Sequence, residues 1–451
     1  MSAVSPSSRT TGRLRRLRPA PPVRIVHLGL GAFSRSHTAW YTSHASDASE
    51  WGIVAYSGTS MHLAEAVNRQ GGLYTLIERS AKGDVSEVLE SLVRAHPGSD
   101  VEQFVADVAS PLTAVVTLTI TEGGYRTTPD GSPDLADPAV RADIERLVAL
   151  SDGHESARSG LSTALGRLVA GLDMRRRAGG GPMTILSCDN LPGNGEHAAR
   201  AIRALARTLP ETADWCERNV AFASSSVDRI TPRLSAEEAT RLAERYGDAV
   251  PVVAEPFSDW VISGDFPAGR PQWESAGARF TADLEPWEAR KLWLLNGAHT
   301  ILAGLGRLRG HEFVSQAVDD PVCRRAVEDF WDEAQRHLPV ELGVDDYRRA
   351  LLKRFENPAI AHALAQISMD STTKMRLRIA PVAEREREAG REASGCAFAV
   401  AVWLAADAAM TDAHNAVAQI SPRLAADPAF VTSVSSFLNS LRQGLLPHAG
   451  S

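Results

Sequence analysis

Cysteine is scarce in this 451-residue chain: there are four, Cys188, Cys216, Cys323 and Cys396, with no CxxC pair among them. That spacing argues against a disulfide framework and a cysteine-built zinc centre, and it fits a reducing, cytoplasmic compartment. No apolar run approaches the ~20 residues needed to span a bilayer, so no membrane is expected as a partner. An excess of basic charge is also missing. Lys and Arg number 48 against 55 Asp and Glu, and the net charge of −7 gives no pull toward nucleic acid or anionic lipid. There is no GxxxxGK(S/T) phosphate loop, no HExxH and no nearby Cys/His set, so no metal ligands are expected. None of the six tyrosines is followed by lysine four positions on, which excludes the Tyr–Lys pair of short-chain dehydrogenases.

What is present is apolar residue in quantity, 44% of the chain, enough for sizeable cores in two or three domains. The first 22 residues hold five arginines and no acid, and they lack the apolar segment of a secretory signal; a disordered basic tail is expected there. VRIVHLGLGAFSRSH then reads as strand, glycine turn and helix start. WGIVAYS, GGLYTLIERS, TAVVTLTI and MTILSC read as further strands, with helical patterns between them. Such alternation predicts a parallel sheet covered on both faces. From about Leu284 the patterns turn helical throughout, among them DPVCRRAVEDFWDEAQRHL, DDYRRALLKRF, IAHALAQIS and ASGCAFAVAVWLAADAA. The expected organisation is a tail over 1–22, an α/β domain over 23–283 and an all-α domain over 284–451. The helical part offers no heptad seam, so a monomer is expected.

Six stretches carry polar groups whose reading stays open on local evidence. GLGAF, residues 29 to 33, is either a dinucleotide turn or an ordinary tight turn; the third glycine of the usual fingerprint is replaced by Ser34. The second strand ends in Ser57-Gly58-Thr59-Ser60, without the acid that grips the ribose of NAD. SCDNLPGNG, at a strand end, is a helix cap or a ligand loop. In SSSVDRITPR, Asp228 beside Arg229 reads first as a structural ion pair, and the basic residues of DSTTKMRLRIAP read first as a solvated loop. KLWLLNGAHT puts polar groups into an apolar helix. At about 100° per residue, Lys291 and His299 point within roughly 80° of each other, with Glu288 between them and Asn296 at the border.

Taken in this order, these stretches resemble the mannitol dehydrogenase family of long-chain polyol dehydrogenases. HLGLGAFSRSH and LTITEGGY are similar to its nucleotide-binding elements, SCDNLPGNG and VAFASSSVDRITP to two further signatures, KLWLLNGAH to its Lys-x4-Asn-x2-His helix, and RFENPAIAHALAQISMDSTTKMRLR to its late block. The resemblance implies a Rossmann-type domain, a helical C-terminal domain, a cleft between them and metal-independent hydride transfer with NAD or NADP. The cofactor would lie on Gly29, Leu30, Gly31, Ala32, Phe33 and Ser34. By family role Lys291 is the general base, which burial would bring below the ordinary lysine value of ~10.4. Asn190 and Asn296 hydrogen-bond the developing alkoxide, His299 and Arg378 orient substrate, Asp228 is a supporting acid and Glu288 relays the lysine proton. The implied substrates are a mannitol-like polyol and its 2-ketose. Fructuronate or tagaturonate, a sugar phosphate, or an inactive sensor are the alternatives. TEGGY lacks a lysine common in the family, DSTTK stands for DGSQK, and Arg376 replaces a proline.

Overall fold

The structure is a computed structural model and describes residues 14–58, 61–407 and 412–445. These divide into two compact units: residues up to Arg79 together with Gly83–Leu284, and Ser80–Lys82 together with the chain from Glu285 onward.

The first unit is built on apolar strands that are buried on both faces. β1 (Val23–Leu28), β2 (Gly52–Ser57), β3 (Tyr74–Ser80), β4 (Gly83–Leu89), β5 (Leu92–Pro97), β6 (Val115–Leu118), β7 (Met183–Ser187), β8 (Val220–Asp228), β9 (Val252–Ala254), β10 (Asp259–Ser263) and β11 (Arg279–Phe280) form two sheets. The larger runs β11-β10-β8-β7-β6-β1-β2-β5. From β5 to β8 it is wholly parallel, with Leu28 opposite both Tyr56 and Leu118; β10 then joins β8 antiparallel. Alternate residues feed alternate cores. Val26, Val54 and Val116 pack with the helices Val101–Ala109, Ala164–Arg177 and Asn194–Ala206, whereas Ile25, Ile53 and Val115 pack with Trp260 and Trp273. Strands buried on two sides must be apolar at consecutive positions, and for that reason β1, β2, β6 and β7 stand out in the sequence. The strand order reverses between β1 and β6, so the loops after these two strands flank the switch point where such sheets bind ligands. The smaller sheet runs β4-β3-β9.

The second unit is helical. Its centre is the helix Ser394–Ala406, which is buried from Gly395 to Leu404 with Phe398 as the partly covered exception. A helix apolar all round has to be enclosed, and the helices Ala298–Leu308, Pro321–Gln335 and Pro428–Arg442 pack against it. Its first turn needs acceptors for orphan N–H groups. Glu333 supplies them: one carboxylate oxygen accepts from Gly395 N and the other from Cys396 N, both at 2.8 Å. Among the described residues no helix is long and apolar enough to cross a membrane.

Three expectations need correction. IAHALAQIS is helical only over Leu364–Ile367, because the preceding backbone is drawn into a bridge between Phe313 and Ala363. DSTTKMRLR is the helix Ser371–Arg378 and not a loop, begun from Asp370 at φ 53°. Of the expected tail, residues 1–13 lie outside the described residues. Over 14–22 the chain is held, since Arg16 donates to the carbonyls of Gly71, Glu90 and Leu92 at 3.1, 3.0 and 2.8 Å.

Candidate active site

In the first unit the polar residues gather at the carboxyl ends of the parallel strands. The amides of Gly29 and Leu30 both donate to the Tyr56 carbonyl, at 3.0 and 2.9 Å, so the turn after β1 is tied to the end of β2. Thr119, just past β6, donates its hydroxyl to Gly29 O at 3.0 Å and meets His27 Nε2, also at 3.0 Å. Burial brings the His27 imidazole down to about 4, which keeps it neutral between Thr117 and Thr119. Gly29 has φ 110°, and a Cβ there would stand 2.4 Å from Thr119 O. Ser34, in place of a third glycine, folds its hydroxyl back to accept from Gly31 N at 3.0 Å. Leu30 and Ser34 are buried, Phe33 is half-buried and Ala32 is exposed. Of the loop after β2, Thr59 and Ser60 lie outside the described residues.

SCDNLPGNG is the loop that leads from β7 into the next helix. Asn194 is a fully buried structural residue whose amide donates to Asp189 O and Ser225 O and accepts from Ser225 N. Gly193, at φ 58°, turns the chain into the helix Asn194–Ala206. Asn190 is exposed at the tip of the loop. The loop is held from β6's side by Tyr125, which donates to the Asp189 carboxylate and reaches Ser187 Oγ at 3.3 Å. Burial pushes the Asp189 carboxyl above its usual range and, with Asp189 adjacent, raises the Tyr125 phenol well above 10. Asp228 ends β8, buried and in register with Asp259. Arg229 takes Glu78 as its carboxylate partner, at 2.5 Å, and also donates to Glu255 O and Ser36 O. Tyr125, Asp189 and Asn194 had no separate signal in the sequence beyond lying inside its motifs.

In the second unit KLWLLNGAHT does not stay α-helical. After the helix Glu285–Arg290, Lys291–Gly297 opens into a π-helical turn before the α-helix resumes at Ala298. The expected 100° phase therefore fails across the motif, because a π turn carries an extra residue. Such turns are uncommon and recur at functional sites. Here the loosened carbonyls are taken by side chains of other helices. Trp331 Nε1 donates to Leu294 O at 2.8 Å. Thr300 Oγ1 and Arg378 Nη1 donate to Asn296 O at 2.9 and 3.1 Å, and Arg378 also reaches Thr300 Oγ1 at 3.0 Å. Gly297 lets the helix Pro321–Gln335 approach, since a Cβ would meet Phe330 Cε1 at 2.6 Å. Lys291, Asn296 and Glu288 are half-buried, and His299 is buried at 6% exposure. Arg378 is thus brought to the motif, while Arg376 turns away to Gln419 O. Beside Thr300 lies a cavity of about 220 Å³, lined in part by Gly304, Arg307, Lys374 and Trp403. Trp331→Phe keeps the ring and removes one donor from the turn. It should lower stability by about 1–2 kcal/mol, read as a lower urea midpoint, and reduce kcat in parallel. An unchanged midpoint would show that the Leu294 carbonyl does not need the indole.

Known proteins match this chain over both units. The mannitol dehydrogenase Rossmann domain matches residues 23–275, and the mannitol dehydrogenase C-terminal domain matches residues 283–428. The chain belongs to the mannitol dehydrogenase family. It is similar to the D-mannonate oxidoreductase of Escherichia coli, at 35% identity over 89% of this chain and 83% of that one. A mannitol 2-dehydrogenase of Pyrenophora tritici-repentis is 34% identical over 87% of this chain and 70% of its own length. Among solved structures, the Pseudomonas fluorescens mannitol 2-dehydrogenase in ternary complex with NAD and D-mannitol superposes with a TM-score of 0.75 at 30% identity, over 97% of this chain and 94% of that one. A substrate-free D-sorbitol dehydrogenase gives 0.83, also at 30% identity, over 94% of each. This member of the mannitol dehydrogenase family is an oxidoreductase acting on CH–OH donors, with a Rossmann-type dehydrogenase domain.

Among the described residues one group of metal-ligating residue types does converge: the ligand atoms of His311, Asp320 and Cys323 lie within 4.8 Å of one another. Their bonding is that of a helix cap. Asp320 accepts from Val322 N at the start of the helix Pro321–Gln335 and from both Arg309 and His311. Burial opposes the charge on Asp320, but these hydrogen bonds bring its carboxyl down to about 2, while burial pushes the Cys323 thiol up to about 12. A guanidinium on the carboxylate and a thiol kept protonated are poor terms for a cation.

Proposed function

We propose that this protein interconverts a secondary alcohol of an open-chain, mannitol-like polyol and its 2-ketose, with NAD and without a metal. The observation that carries the reading is the π turn: a lysine and an asparagine share one seven-residue segment whose backbone is clamped by Trp331, Thr300 and Arg378. When bound, the nicotinamide supplies the hydride acceptor. Lys291 takes the hydroxyl proton as the alcohol becomes a ketone, and Glu288 passes that proton toward solvent. The side-chain amides of Asn190 and Asn296 donate to the oxygen as negative charge grows on it, a contribution of about 3–4 kcal/mol per donor in acyl-transfer sites. His299 and Arg378 orient the chain, and Asp228 supports them. The turn Gly29–Ser34 fits a dinucleotide, and so does Ser57, whose hydroxyl is buried at the end of β2 without a partner among the described residues. The four buried free thiols support a cytoplasmic setting.

A second reading, a sugar acid in place of a neutral polyol, is favoured by one observation. Arg354 and Arg378 both act on His299. The Escherichia coli relative is named for mannonate. A screen of hexitols, hexonates and hexuronates with NAD and NADP, in both directions, tests both readings through the absorbance of the reduced nicotinamide. Turnover is expected with NAD on at least one of these substrates. Silence across the whole panel would sink the proposal.

A further inference from the structure

His299 is in ring contact with a second histidine that the family motifs leave without a role. His362 precedes the short helix Leu364–Ile367, and its backbone is fixed on both sides, accepting from Val314 N at 3.0 Å and donating to Ile360 O at 2.8 Å. The two imidazoles meet edge to face, with centroids 4.8 Å apart and planes at 83°. Phe355 lies against His299 at 4.9 Å. His299 Nε2 and His362 Nδ1 are both buried, and neither has a hydrogen-bond partner among the described residues.

An unmatched buried polar atom destabilises a fold, and native proteins hold few of them. Two on touching rings gain nothing for packing, since a phenylalanine or leucine would fill the space without the penalty. The arrangement makes sense when something polar comes to meet both nitrogens. The charged groups that bear on the rings are Arg354, from the helix Val344–Phe355, and Arg378, from the helix Ser371–Arg378; Arg354 acts on both rings. Burial first, then His362 and the two arginines at His299 and Arg354 at His362, hold both imidazoles below their usual value, so each is neutral and presents one N–H.

We infer that His362 is a further substrate-holding residue, its Nδ1 and His299 Nε2 together seating two neighbouring oxygens of the sugar chain. A carboxylate offers two such oxygens, and a vicinal diol offers the same pair without charge. The nearby arginines favour the carboxylate. The inference rests on the dehydrogenase reading of the helical unit.

The test is His362→Phe, which keeps a ring and removes both nitrogens, assayed with D-mannitol and D-mannonate. The melting temperature of the free protein should not fall, because an unmatched polar atom has gone. KM should rise by at least about tenfold while kcat stays within about threefold, the pattern of lost holding and not of lost chemistry. A larger effect on mannonate than on mannitol assigns the seat to a carboxylate, and equal effects assign it to a diol. A folded variant with unchanged KM for both overturns the inference. So does a lower melting temperature with unchanged KM, which would make the ring structural. If the wild type turns over neither compound nor any other in the panel, the dehydrogenase reading fails and takes the inference with it. Turnover by the wild type with an unaffected variant sinks the inference alone.

Discussion

Lys291→Met is expected to give a folded protein that still binds cofactor and oxidises its alcohol at least about 10²-fold more slowly, the usual worth of a positioned base. Methionine matches the length of the lysine stem. Lys291 is half-buried and sits on a turn whose backbone is held by Trp331 and Arg378, and those backbone clamps remain in the variant. The fold should survive, because neither clamp uses the amine. The turn at Gly29 belongs to the other unit and is untouched, so cofactor binding is the internal control. The pH profile gives a second readout. Only the neutral amine can accept the hydroxyl proton, so wild-type oxidation should rise with pH, and the variant should lack that rise. A variant with near-normal kcat and the wild-type profile would place the base elsewhere.

Gly29→Ala should damage the first unit strongly. Its φ of 110° is one that side chains rarely adopt, and the added carbon would sit 2.4 Å from Thr119 O and 2.8 Å from Thr119 C. These are backbone atoms, so relief requires β1 and β6 to move apart at the switch point. The expected loss is about 2–3 kcal/mol, or roughly 5–10 °C in melting temperature, with NADH binding weakened as well. Gly31→Ala is the control: its backbone is extended, and the nearest atom to an added Cβ is Gly29 O at 3.6 Å. Thermal denaturation and a fluorescence titration with NADH check both variants. Equal melting temperatures and NADH affinities in the two would mean that the turn relaxes without strain.

How much of this could be read in advance follows from where the physics is local. β1, β2, β6 and β7 were legible because a strand covered on both faces must be apolar residue after residue. β8 was not, since Ala223-Ser224-Ser225-Ser226 carries neither an apolar run nor clear alternation; its place is set by its neighbours β7 and β10. The helix Ser371–Arg378 opens with threonines and charges, and what holds it is tertiary: Trp403 Nε1 donates to Ser371 Oγ at 2.9 Å, and Lys374 donates to Ile367 O. In the candidate site the identities of Lys291, Asn296 and His299 were visible in one motif, and the shape of that motif was not. Nothing in KLWLLNG forbids an α-helix. The π turn is shaped by Trp331, Phe330 and Arg378, which lie on other helices. His362 was hidden for a similar reason, since one of 13 histidines has no meaning until its ring is seen against His299.

The clamps on the π turn also order the assembly of the enzyme. Trp331 reaches Leu294 from 37 residues further along the chain, and Arg378 reaches Asn296 from 82 residues further along. Contacts of that separation form only after the intervening loop has been closed, and loop closure is the slow part of building a topology. During synthesis the segment that bears Lys291 leaves the ribosome well before either clamp exists, and at that stage it has no reason to depart from an ordinary helix. Its working shape is conferred afterwards, when the helices that follow fold back onto it. Helix content can thus recover early in refolding while catalysis waits for the late packing of the helical unit, and a chain cut short before Arg378 carries every atom of the proposed base without the backbone form that presents it.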